Sequence, residues 1–114
     1  MGKSFTASLN ELENAKDYVR KRLSNTSWKD SDWELSLEEA ITNIINHAAA
    51  DSFELSCNAS VDQLKLALKD RGIHYDPDQN PGFGLLLMHS YMDEIYYQNQ
   101  DGYNHLTMIK HKGK

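Results

Sequence analysis

The sequence has one cysteine, no long hydrophobic run and no excess of basic residues, and each of these absences excludes a class of protein. The single cysteine, Cys57, cannot form a disulfide within the chain, which is typical of a reducing compartment. No apolar stretch reaches the roughly twenty residues that a membrane-spanning helix needs, and the N-terminus has no signal-peptide hydrophobic region. We therefore expect a soluble, cytoplasmic protein with no membrane partner.

The charge balance is acidic, with 17 Asp and Glu residues against 12 Lys and Arg residues. Nucleic-acid binding needs a basic patch that neutralises phosphates, and here the basic residues are scattered along the chain. A DNA or RNA partner is therefore not expected. The length of 114 residues suits one domain with a single core.

Two segments near the N-terminus have the apolar spacing of amphipathic helices. Ser8-Leu-Asn-Glu11 is a capping-box pattern, and the spacing that follows predicts a helix over about residues 9 to 24. Ser31-Asp-Trp-Glu34 repeats the capping-box pattern and predicts a second helix from Asp32 to Ala50.

After Ala50 the apolar period changes from helical to two, which is typical of half-buried strands. The pattern predicts a hairpin of strands 53–59 and 64–69, a polar loop over 70–84, an apolar helix over 85–92, and a second hairpin of strands 95–100 and 104–111 that turns at Asp101-Gly102. The predicted order β-α-α-β-β-α-β-β gives an α+β two-layer sandwich, with a mixed, mostly antiparallel sheet and helices on one face.

The second helix carries a polar stripe, because Glu39, Asn43 and His47 follow one another at four-residue steps and so lie on one face. A carboxylate, an amide oxygen and an imidazole in one row suit Mg²⁺ ligation, phosphate contact or proton transfer. Solvent exposure is the simpler interpretation for Glu39, and a surface or core histidine is an equal alternative for His47. Asn43 is harder to explain structurally, since Asn is a poor helix former and here lies among isoleucines.

Two short patterns in and beside the polar loop add further candidate groups. Asp70-Arg-Gly72 ends a strand, and it suits either an Asx-type turn or recognition of a purine, in which the carboxylate accepts from the exocyclic amine. Gly82-Phe-Gly84 precedes the apolar helix, where free backbone amides suit phosphate binding or simply a flexible helix start. Each pattern alone is common.

Taken together and in this order, the patterns resemble one family. The segments E-E-A-I-T-N-I-I-N-H-A, D-R-G-I-H-Y-D-P and G-F-G-L-L-L-M-H-S-Y-M-D-E-I-Y-Y are similar to the N, G1 and G2 boxes of the GHKL ATPase superfamily. The M-D-E-I ending and the closing hairpin resemble its anti-sigma-factor serine/threonine kinase branch, the RsbW and SpoIIAB type. The resemblance covers nearly the whole chain and implies the Bergerat, or histidine kinase-like ATPase, fold with bound ATP and Mg²⁺.

The resemblance also implies a role for individual residues. It places Mg²⁺ coordination on Asn43 and the general base toward a substrate serine on Glu39, and it brings His47 near the phosphates. The implied nucleotide contacts are the adenine-reading Asp70, Gly72 beneath the base, the lid-hinge glycines Gly82 and Gly84, and Thr107 on the last strand.

The chain departs from the family pattern in the lid, where only Asp78-Gln-Asn-Pro81 separate Asp76-Pro77 from Gly82. No Arg or Lys lies between Gly72 and the end of the third predicted helix. Phosphoryl transfer depends mainly on positioning and charge neutralisation. A short lid without basic groups is therefore expected to affect turnover more than binding.

The predicted function is an ATP-binding partner-switching regulator that phosphorylates a serine on a STAS-domain antagonist and binds a sigma factor or similar output protein. The alternative is a degenerate family member that acts as a protein-interaction module. A fragment of a sensor histidine kinase is a third possibility, but the sequence contains nothing like a phospho-accepting helical hairpin. A homodimer is expected, with a contact surface on the first helix beyond its core face, near Tyr18 and Val19 in the middle of the helix.

Overall fold

The computed structural model describes residues 2–29, 32–74 and 91–112. Their helices and strands are β1 Lys3–Thr6, α1 Leu12–Leu23, α2 Trp33–Asn43, β2 Ser52–Ala59, β3 Gln63–Asp70, β4 Glu94–Gln100 and β5 Tyr103–His111. A 3₁₀ turn at Leu9–Glu11 precedes α1, and a π-helical turn at Ile44–Ala48 continues α2. Among these residues, no helix is long and apolar enough to cross a membrane.

The strands form one five-stranded sheet in the order β1-β2-β3-β5-β4. The predicted α+β fold class is confirmed, although the sheet is antiparallel throughout the described residues rather than mixed. The reason is that β2–β3 and β4–β5 are hairpins, while β1 and β5 also lie antiparallel to their neighbours. The second hairpin turns at Asp101-Gly102 as predicted, and both residues have positive φ.

The core lies between the helices and one face of the sheet. Alternation along β3 turns every second side chain toward the helices, and α1 and α2 meet this face with residues spaced three or four apart. The fully buried members include Val19, Leu23, Leu37, Ile41, Ile44, Leu64 and Leu66. Burial of each such side chain contributes about 1.5–3 kcal/mol, so this layer fixes α2 against β3.

The first helical segment begins at Leu9, as predicted, but it begins as a 3₁₀ turn and without the predicted capping box. Ser8 has an extended backbone but makes no side-chain cap hydrogen bond, and the Glu11 carboxylate instead accepts a bond from Asn14 Nδ2 at 2.9 Å. The capping box at Ser8 is therefore wrong, because a 3₁₀ turn intervenes before α1. The second predicted capping box begins at Ser31, which lies outside the described residues. The predicted third helix also lies outside them, apart from its last two residues.

The middle of α1 offers less contact surface than the sequence suggested. Val19 is fully buried in the core, so it cannot contribute to a dimer contact. Tyr18 is partly exposed, and its ring packs edge-on against Phe5 with centroids 5.9 Å apart. Only Tyr18 of this pair is placed where a partner chain could reach it.

Candidate functional site

Asp70 ends β3 on the face that carries the buried leucines, and its side chain is only 4% exposed. An ionised carboxylate is costly to bury unless hydrogen bonds satisfy it. Its Oδ1 atom accepts from the backbone N–H of Gly72 at 2.8 Å and from Asn104 Nδ2 at 2.9 Å. The first bond is the Asx-type turn that the sequence suggested, and the second comes from a neighbouring strand.

Asn104 lies directly opposite Asp70 in the β3–β5 register and is 1% exposed. Its amide also donates to the carbonyls of Ile73 at 3.0 Å and Gly72 at 3.3 Å. Sequence reasoning missed this residue. The available signal was a polar side chain at a position where the alternation of β5 places Leu106 and Met108 toward the core.

Gly72 lies against the end of the second helix. A Cβ built on Gly72 would stand 2.2 Å from the Ala48 carbonyl oxygen and 2.7 Å from its Cβ, and the N–H of Ile73 donates to that oxygen at 2.6 Å. Only glycine permits this approach. The contact with Ala48 therefore requires glycine at position 72 by itself, and the predicted place of Gly72 beneath the base stays a prediction.

The polar stripe lies on α2 and its π-helical continuation. Asn43 is 3% exposed at the last residue of α2, Glu39 is partly exposed one turn earlier, and His47 lies in the π-helical turn. The chain leaves this turn at Ala49 with φ of 52°. The contact between Ala48 and Gly72 thus brings the C-terminal end of the stripe to the Asp70 turn.

Thr107 does not join this cluster. It lies opposite Ala67 on β3 and Tyr96 on β4, so its side chain is on the open face of the sheet. Asp70 and Asn104 lie on the helix-covered face, because residues an odd number apart on a strand point to opposite faces. Asn104, and not Thr107, is the β5 residue that lies beside Asp70. Gly82 and Gly84 lie outside the described residues.

Comparison with known proteins identifies the family of this chain. The family model described as "Histidine kinase-like ATPase domain" matches residues 5–110. The chain belongs to the histidine kinase-like ATPase family. The resemblance found in the sequence is confirmed.

Two relatives of this ATPase domain are protein kinases by name. The serine/threonine-protein kinase BtrW of Bordetella bronchiseptica is 33% identical, with 68% of this chain and 67% of that protein covered. The serine-protein kinase RsbW of Oceanobacillus iheyensis is 30% identical, with 74% of this chain and 67% of that protein covered.

Two solved structures show the same fold at low identity. One contains the RsbU and RsbW domains of a Mycobacterium tuberculosis protein, with a TM-score of 0.63, 14% identity and coverage of 96% of this chain. This ATPase domain spans only 32% of that longer chain. The other is the catalytic domain of the histidine kinase ThkA, with a TM-score of 0.54, 12% identity and 98% of both chains covered.

Asn43 is the residue that the family resemblance assigns to Mg²⁺. Among the described residues, no group of three or more His, Cys, Asp or Glu side chains is placed to bind a metal. Mg²⁺ commonly keeps several waters and takes only one or two protein ligands beside substrate phosphates. Asn43 ends α2 at 3% exposure and carries an amide oxygen, which is a ligand type that Mg²⁺ accepts.

An aromatic pair lies near the Asp70 turn of the ATPase domain. The rings of His74 and Tyr97 stack with centroids 5.4 Å apart and an interplanar angle of 24°. Tyr97 pairs with Leu106 on β5, and so it shares the helix-covered face with Asn104. The loop that leaves Asp70 is thereby held against β4 as well as against the end of α2.

Proposed function

We propose that this chain binds ATP with Mg²⁺ and transfers the terminal phosphoryl group to a serine of a partner protein. The observation that carries the proposal is the buried Asp70 carboxylate, held by two hydrogen bonds to one oxygen at the end of β3. A carboxylate in this setting is suited to accept a hydrogen bond from the adenine amine. The names of the two relatives, both protein kinases, support phosphoryl transfer.

The proposed roles follow the order of groups from the base to the phosphates. Asp70 would bind adenine, His47 would lie near the phosphates, and Asn43 would supply a ligand to Mg²⁺. When bound, Mg²⁺ neutralises charge on the phosphate oxygens. Gly72, Gly82 and Gly84 keep the nucleotide-contacting roles implied by the family resemblance.

Glu39 is the proposed general base. It lies four residues before Asn43 on the same helix face and is only partly buried, so a substrate hydroxyl can approach it. In the proposed step the serine oxygen forms a bond to the terminal phosphorus and the bond to the ADP oxygen breaks. The serine proton passes to the Glu39 carboxylate, and ADP leaves.

The proposed partner is a STAS-domain protein that carries the serine, and the output protein is a sigma factor or a similar regulator. Partner switching of this kind is what the family branch implies. A homodimer is proposed as the working assembly.

The test compares Glu39→Gln with Glu38→Gln and the wild-type chain. Glu38 is the matched control, because it is adjacent and of the same residue type but binds Lys16 Nζ at 2.7 Å instead of lying on the stripe. We expect Glu39→Gln to slow phosphorylation of a STAS-domain protein by about 10²- to 10⁴-fold, with ATP affinity nearly unchanged in both variants. The measurements are phosphate transfer from labelled ATP and calorimetric titration.

Equal transfer rates in the wild-type and Glu39→Gln proteins would refute the general-base role. ATP binding without transfer to any STAS-domain protein would refute the kinase activity and favour an interaction module. Absence of ATP binding by the wild-type protein would refute the nucleotide site itself.

A further inference from the structure

We infer that Asn104 is a positioning residue that makes the site selective for 6-amino purines over 6-oxo purines. It is buried at 1% exposure and hydrogen-bonds to Asp70, yet neither its type nor its position drew attention in the sequence. The inference rests on the proposed adenine-binding role of Asp70. The inference adds Asn104 as the group that fixes the orientation of the Asp70 carboxylate.

The orientation of the Asn104 amide is fixed by its neighbours. Its Nδ2 lies 2.9 Å from Asp70 Oδ1, 3.0 Å from the Ile73 carbonyl and 3.3 Å from the Gly72 carbonyl. Carbonyl and carboxylate oxygens only accept hydrogen bonds, so the NH₂ group must face them. Asn99 Nδ2 completes the arrangement by donating to Asn104 Oδ1 at 3.0 Å.

The two carboxylate oxygens of Asp70 differ in their hydrogen bonds. Oδ1 accepts from Asn104 Nδ2 and from the Gly72 N–H, and these two bonds fix the plane of the carboxylate. Over residues 2–29, 32–74 and 91–112, no group donates to Oδ2. Oδ2 is thus the atom that the described residues leave to a ligand, and as an acceptor it suits an amino group and opposes a carbonyl oxygen.

The same amide also holds the chain that follows Asp70. It binds the carbonyls of Gly72 and Ile73, and the Ile73 N–H in turn donates to the Ala48 carbonyl at the end of the π-helical turn. Loss of the amide is therefore expected to loosen the loop as well as Asp70. A ratio of two affinities separates these effects, because general loosening weakens both ligands alike.

The experiment titrates ADP and inosine diphosphate, each with Mg²⁺, into the full chain by calorimetry. The two ligands differ at the purine 6-position, which is amino in ADP and oxo in inosine diphosphate, with a matching change of protonation at ring N1. The variants are Asn104→Ala and Asn104→Asp, and the control is Asn99→Ala, which removes only the outer bond of the cluster. Melting curves are recorded for every protein.

We expect the wild-type protein and Asn99→Ala to prefer ADP by at least about tenfold, since a site built around a substrate amine rejects the analogue that lacks it. Asn104→Ala should reduce that preference about fivefold or more, because the carboxylate is free to turn. Asn104→Asp should reduce it further. Two adjacent buried carboxylates share a proton, and the resulting O–H donor suits a 6-oxo group.

An unchanged ratio in both Asn104 variants, whether or not the affinities fall, would overturn the inference and leave Asn104 a structural residue. So would unfolding of both variants while Asn99→Ala stays folded. If the wild-type protein binds ADP but the ratio does not respond, only this inference fails. If the wild-type protein binds neither ligand, the proposed nucleotide site fails with it.

Discussion

Replacement of Asp70 by Asn tests the nucleotide site with little disturbance of the fold. The amide oxygen of the new side chain can keep both hydrogen bonds that Oδ1 now accepts, from the Gly72 N–H and from Asn104 Nδ2. The amide NH₂ then takes the place of Oδ2. A donor would face the adenine amine, which is itself a donor.

The size of the effect follows from the bond that is lost. A hydrogen bond to a charged group contributes about 1.5–3 kcal/mol, so the affinity for ATP should fall about ten- to a hundredfold. Stability should change much less. The two internal bonds weaken when their acceptor loses its charge, but the cost of burying that charge at 4% exposure disappears as well.

The assay is a calorimetric titration of ATP with Mg²⁺ into wild-type and Asp70→Asn protein at matched melting temperatures. Asp101→Asn is the control, because Asp101 is exposed in the β4–β5 turn with φ of 56°, a conformation that Asn tolerates. Equal ATP affinity in Asp70→Asn and wild type would refute adenine recognition at Asp70. Equal losses in Asp70→Asn and Asp101→Asn would point to a general effect of charge.

Three further predictions concern packing, reactivity and assembly. Gly72→Ala should lower the free energy of unfolding by about 3 kcal/mol or more and the melting temperature by about 10 °C, because the new Cβ meets the Ala48 backbone. Gly102→Asn, in the open turn, should lower stability far less, and equal losses of stability in the two variants would contradict the packing argument. Burial raises the pKa of the Cys57 thiol, so alkylation at pH 8 should be at least about tenfold slower in native than in urea-unfolded protein, and equal rates would contradict its burial. Sedimentation should show a homodimer, and monomer alone at tens of micromolar would contradict it.

The order of the described helices and strands was predictable from the sequence, because each depends on local periodicity. The alternation along β3 sets which residues face the helices, and it was read correctly from Leu64 to Leu68. The end of the second helix was harder to predict. Prediction carried it to Ala50, whereas the helical chain ends at Ala48 after a π-helical turn that has no local sequence signature.

A buried polar side chain was predictable where its type conflicted with its apolar neighbours. Asn43 among isoleucines was such a conflict, and the structure buries it at 3% exposure. Thr107 was assigned by its nearness along the chain, and the register places it on the open face. The alternation of β5 places Asn104 on the core face, but its contact with Asp70 follows only from the β3–β5 pairing, which joins residues 34 positions apart.

The hydrogen bonds around Asp70 hold the polar groups at the end of β3 in fixed positions. Three backbone carbonyls accept hydrogen bonds from within the chain. They belong to Ala48 at the helix end and to Gly72 and Ile73 after β3. These bonds satisfy backbone groups that would otherwise need solvent, and the same bonds fix the loop that leaves Asp70. Because folding already orders these groups, a nucleotide at the proposed site would not have to supply that ordering free energy on binding. We therefore expect the backbone contacts of Ala48 to contribute to nucleotide affinity, although its side chain has no polar group for a ligand.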